Sequence, residues 1–105
     1  MVEKAYTTFA EFYPYYLSQH RSFGTRVMHF IGTTLFLLFL TSAILRLQIF
    51  FLLEGIVCAY LFAWIGHFFI EKNKPATFKY PWMSLKGDFK LYFEILIGKR
   101  GFKGN

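Results

Sequence analysis

The sequence predicts an all-α integral membrane protein: a hairpin of two transmembrane helices, with amphipathic interfacial helices before and after it. Three observations carry that expectation. The chain has 105 residues, of which 55% are hydrophobic and 17% charged, against about 25% charged in soluble domains. A globule this small has too little interior to hide so much apolar surface, and so hydrophobic a chain does not stay disordered. Two long stretches almost free of charge follow one another, and the basic residues lie outside them. The length suits a single membrane domain over residues 1–105.

The first element is an interfacial helix over about residues 8–22. Thr8-Phe9-Ala10-Glu11 has the capping-box form, and Phe9, Phe12, Tyr13, Tyr16, Leu17 and His20 recur at helical spacing. Pro14 bends this helix or moves its start. The aromatic run Phe12–Tyr16 reads as a belt at the membrane interface.

Residues 27–45 follow, nineteen in a row without Asp, Glu, Lys or Arg. At 1.5 Å per residue they make about 28 Å of helix, close to the thickness of a bilayer core. The gap Arg46–Ile49 admits a tight turn and little more. The second span, residues 49–70, holds one formal charge, Glu54, near its start, where it snorkels to the interface or pairs with Arg46.

Lys74-Pro75 and Tyr80-Pro81 then impose an extended stretch. Ser84 is placed to cap a last helix over about residues 84–97. Leu85, Phe89, Tyr92, Phe93 and Leu96 lie on one side of it, and Lys86, Lys90 and Glu94 on the other. Such a basic amphipathic helix lies in the interface; a partial third span fits the same pattern.

Lys4, Arg21 and Arg26 precede the spans, and Lys72, Lys74, Lys79, Lys86, Lys90, Lys99, Arg100 and Lys103 follow them, with Arg46 alone in the turn. The positive-inside rule puts both termini in the cytoplasm. In so apolar a chain the net charge of +6 points to anionic head groups rather than nucleic acid. Met1–Lys4 leads into polar and aromatic residues, so no cleavable signal peptide is expected. The single cysteine, Cys58, excludes an internal disulfide framework and a cysteine-based zinc site, and at mid-span it is inert. No phosphate loop, dinucleotide fingerprint or nucleophile elbow is present.

Three histidines are left as candidates for chemistry. His20 precedes the first span, His29 stands at its entry and His67 at the exit of the second. In a hairpin these positions share one membrane face. His67 and Glu71 are four apart, a spacing that lets two side chains share a metal. Three imidazoles and a carboxylate suit Fe(II), Zn or Mn. Histidines tolerated at a lipid boundary and a simple His67–Glu71 hydrogen bond explain the same residues without a metal. His20 and His29 are nine apart, about half a turn round a continuous helix, so they converge only if the chain breaks near Gly24. Gly32 and Gly66, beside His29 and His67, let the helices approach closely.

The segments Phe12-Tyr13-Pro14-Tyr15-Tyr16-Leu17-Ser18-Gln19-His20, His29-Phe30-Ile31-Gly32 and Gly66-His67-x3-Glu71-Lys72-x-Lys74-Pro75-Ala76 carry a resemblance. They resemble a family of small membrane proteins whose fungal member is the 2-hydroxy fatty acid dioxygenase of sphingoid-base breakdown; the length is most similar to its short bacterial branch. The likeness covers roughly residues 9–90. The resemblance implies an Fe(II)-dependent α-oxidation, in which O2 cleaves a 2-hydroxy fatty acid to an acid one carbon shorter. It implies that His20, His29 and His67 are catalytic and bind the metal, with Glu71 at the adjoining acidic position. Arg21, Arg26 or Lys72 would then neutralise the substrate carboxylate. Longer relatives commonly carry Asn, Pro and Gln where this chain has Thr25, Thr34 and Ala63, and further transmembrane segments.

Two classes of function follow. One is a membrane-embedded iron oxygenase with a fatty acid and O2 as partners. The other is a non-catalytic membrane protein that binds lipid or assists assembly, its histidines structural. A transporter is disfavoured, because two spans line no pathway by themselves. The short form suggests the inner membrane of a bacterium, with the endoplasmic reticulum expected for eukaryotic relatives. Because two spans enclose a poor pocket, a homo-oligomer is expected.

Overall fold

Each expected helix forms, with ends set by capping and packing. The computed structural model describes residues 5–104; Met1–Lys4, with the basic Lys4 and the segment expected to lack a signal peptide, lies outside the described residues.

Helix α1 spans Phe9–Ser18. Thr8 caps it, its hydroxyl accepting from the Glu11 N–H at 3.2 Å, while the Glu11 carboxylate accepts from the Thr7 and Thr8 hydroxyls. The helix runs through Pro14 and stops at Ser18, short of the expected residue 22. Its aromatic face is not a belt. Phe12, Tyr13 and Tyr16 are buried, because the last helix lies across them.

Helix α2, Phe23–Arg46, and helix α3, Ile49–Ile65, form the hairpin. A π-helical turn, Gly66–Glu71, extends α3, so that Phe23–Arg46 and Ile49–Glu71 are both long and apolar enough to cross a membrane. Leu47 closes α2 in the left-handed conformation (φ 52°), and the Gln48 N–H returns to the Ala43 carbonyl at 3.1 Å, a Schellman-type stop that aims α3 back along α2. Small residues set the crossing. A Cβ on Gly55 would stand 2.8 Å from the Phe39 Cβ, and one on Gly32 3.1 Å from the Ala59 carbonyl oxygen. The expected Arg46–Glu54 ion pair does not form among the described residues; the Arg46 guanidinium lies over the Phe51 ring instead, 5.6 Å from its centre.

Lys72, at φ 61°, ends the π turn, and a short 3-10 turn, Ala76–Phe78, leads to helix α4, Pro81–Leu96. Pro81 sits in the first turn, where its missing N–H costs nothing. Ser84 is therefore inside α4 rather than its cap. The buried face of α4 is also not the apolar stripe. Ser84, Gly87, Leu91 and Glu94 are buried; of the expected apolar side Tyr92 is buried and Phe89 half-buried on the cavity, whereas Leu85, Phe93 and Leu96 are exposed. Tyrosine hydroxyls taken out of water need acceptors, and α4 supplies them: Tyr13 donates to Glu94 and Tyr16 to Asp88. Gly87 lets the Tyr16 ring close on the α4 backbone, since a Cβ there would meet it at 2.9 Å. The C-terminal residues fold back, with the Gly104 N–H on the Arg21 carbonyl at 2.9 Å and Phe102 against Phe23 and Phe30.

Candidate metal centre

His20 leaves the end of α1, His29 lies one turn and a half into α2, and His67 opens the π turn. The break between α1 and α2 at residues 19–22, just before Gly24, turns His20 onto the same side as His29. The three rings then meet edge to face, with centres 4.5 Å apart for His20–His29 and His20–His67 and 5.0 Å for His29–His67. One ligand nitrogen from each lies within 4.8 Å of the others.

Hydrogen-bond chemistry orients each ring. His20 Nδ1 is 2.7 Å from the Tyr16 carbonyl, which only accepts, so Nδ1 carries the proton. The Asn73 Nδ2 donates to the Gln19 carbonyl and to Gln19 Oε1, which leaves Asn73 Oδ1 to accept from His67 Nδ1 at 2.7 Å. His29 Nδ1 faces Asp88 Oδ1 at 3.6 Å. All three Nδ1 atoms thus point outward to an acceptor and all three Nε2 atoms inward. His29 Nε2 and His67 Nε2 are 3.2 Å apart, and His20 Nε2 is buried with no hydrogen-bond partner. Two imidazoles sharing a metal at about 2.1 Å hold their nitrogens about 3 to 3.4 Å apart. The donor set therefore fits a cation, with neutral ligand nitrogens backed by outer acceptors. Burial, reinforced by His29 and His67, pushes the His20 imidazole well below its usual pKa, which favours the ligand form. The Tyr16 ring stacks on His20 at 3.9 Å, and burial, then the Asp88 charge, raises its hydroxyl well above the usual range.

The other expected site residues are placed differently. Glu71 does not join the three histidines; its carboxylate accepts from the Ser22 N–H at 3.0 Å and so ties the π turn to the start of α2. Arg26 is buried, and its Nη2 has no hydrogen-bond partner among the described residues. Its Nε donates to the His20 carbonyl at 2.7 Å, and its Nη1 to the carbonyls of Gly101 and Lys103. Arg21 and Lys72 are exposed. Of the three departures, Thr25 bonds the Gly66 carbonyl at 3.3 Å, Thr34 meets the Tyr92 hydroxyl at 2.9 Å, and Ala63 lines the cavity. Sequence reasoning missed Asn73 and Asp88. Asp88 carried a faint signal as the lone acid between Lys86 and Lys90 on an amphipathic helix.

From the histidines a cavity of about 310 Å³ runs along the hairpin. Its wall reaches from His29 to Phe36 on α2 and from His67 back to Leu52 on α3, and α4 with the 3-10 turn roofs it. One chain by itself lines this half-open space.

The sequence model of a family described as 2-hydroxy-palmitic acid dioxygenase Mpo1-like matches residues 6–100. No curated protein and no solved structure matches the chain.

Proposed function

The chain belongs to the 2-hydroxy-palmitic acid dioxygenase Mpo1-like family, and on that premise we propose that it is a membrane-embedded, Fe(II)-dependent oxygenase of fatty acid α-oxidation. It cleaves a 2-hydroxy fatty acid with O2 to an acid one carbon shorter. The observation that supports this best is the convergence of three histidine nitrogens on a mostly apolar cavity. His20, His29 and His67 would hold the iron, which when bound supplies the activation of dioxygen. Asn73, Asp88 and the Tyr16 carbonyl fix the ring orientations. The apolar wall from Ala63 to Leu52 takes the acyl chain and keeps water from the reacting end. Arg21 and Lys72, both exposed, draw the carboxylate in from the interface. The chain sits in a bilayer with both termini cytoplasmic, the bacterial inner membrane for this short form.

Purified protein should contain about one iron per chain, and His67→Ala should lose both the iron and the consumption of 2-hydroxypalmitate. Full metal content in that variant would overturn the site. A wild-type protein that folds without metal and consumes no substrate would instead support a non-catalytic, lipid-binding role with structural histidines.

A further inference from the structure

Ser84 is 1% exposed, lines the cavity, and its Oγ has no hydrogen-bond partner. A helical serine turned away from solvent can return its hydroxyl to the carbonyl one turn back, beside the backbone N–H. Here the Tyr80 carbonyl accepts the Ser84 N–H at 2.8 Å and the hydroxyl is left over. Burying an unpaired hydroxyl is costly, so its presence on a cavity wall implies a partner that arrives from outside. Its position restricts what that partner is. Asp88 lies one turn further along the same face of α4, also on the cavity wall, with its carboxylate towards His29. A substrate carboxylate against this face would meet that negative charge, whereas a hydroxyl donor would not.

Resting on the oxygenase reading above, we propose that Ser84 Oγ accepts a hydrogen bond from the 2-hydroxyl of the bound fatty acid. It thereby selects 2-hydroxy acids over unsubstituted ones. The acid's carboxylate then faces the histidine nitrogens and the acyl chain the apolar wall. Ser84 is a specificity residue: where an unsubstituted acid binds, its hydroxyl stays buried and unpaired.

Two measurements test this on the full chain in lipid nanodiscs. Without O2, so that nothing turns over, the wild type should bind 2-hydroxypalmitate at least roughly tenfold more tightly than palmitate. Ser84→Ala should bring the two affinities together with palmitate binding unweakened, and Ser84→Thr, which keeps a hydroxyl, should retain much of the preference. In the ligand-free protein Ser84→Ala should leave the melting temperature unchanged or raise it, because it removes an unpaired polar group. Undiminished preference in Ser84→Ala, or a wild type that binds both acids alike, overturns the proposal. So does a lowered melting temperature, which would mean that the hydroxyl is paired within the protein. If the protein binds neither acid, the oxygenase reading falls with it; if it consumes 2-hydroxypalmitate while Ser84→Ala discriminates as before, only the role of Ser84 falls.

Discussion

Asp88 has two partners: it accepts from Tyr16, whose ring stacks on His20, and it faces His29 Nδ1. One carboxylate therefore orients two of the three candidate ligands. Asp88→Asn keeps the shape and removes the charge, and should weaken metal binding roughly 10–100-fold without abolishing it; competition with a chelator measures this, and unchanged affinity would remove Asp88 from the site. Glu94 is the buried counterpart at the far end of the α1–α4 contact, where it accepts from Tyr13 and Arg100. Burial alone would raise its carboxyl, but those hydrogen bonds and the Arg100 charge outweigh it and hold the group below its ordinary value of 4.5. The folded state therefore binds the Glu94 proton less readily than the unfolded one. Its contribution to stability is full above pH 4.5 and is lost as the pH falls through the folded value. Glu94→Gln should flatten that acid limb of a melting-temperature profile; an unchanged limb would assign it to other carboxylates.

At the scale of elements, the hairpin is set by glycines and the π turn by its ties. Gly55 stands where α3 meets α2, and a Cβ there would press on Phe39. Gly55→Ala should destabilise the hairpin by about 1–3 kcal/mol, partly offset by alanine's better helix propensity. The same change at Gly87, where the obstacle is the Tyr16 ring, should also disturb His20, so loss of metal should accompany loss of stability only in the second case. Both helices of the hairpin were legible in the sequence, because nineteen uncharged residues and a four-residue turn leave few alternatives. The buried face of α4 was not. Periodicity points to its largest apolar residues, but the tyrosines of α1 demand acceptors and close approach, so Ser84, Gly87, Asp88 and Glu94 face inward.

The whole molecule is 50 Å long and 27 by 26 Å across, because the hairpin tip extends beyond the α1–α4 layer. The C-terminal tail closes the histidine end, where Gly101 and Lys103 give their carbonyls to the buried Arg26, which in turn holds the His20 carbonyl. Truncation after Ile97 should leave those guanidinium donors unpaired at roughly 1–3 kcal/mol each and lower both stability and metal affinity; a truncated protein that melts and binds iron like the full chain would show that the tail is no clip. The sequence by itself determined the helical class, the hairpin and the three histidines, since these depend on composition, local periodicity and residue type. It did not give the partners of Glu71 and Arg26, because spacing along a helix reports which residues can meet and not which partner is nearer. Only the tertiary structure decided that Glu71 ties the π turn to the start of α2, that Arg26 holds the tail, and that Asn73, Asp88 and Ser84 line or orient the site. The physical reason is that buried polar groups must be satisfied by whatever the packing brings alongside, and that is settled across 40 or more residues of chain.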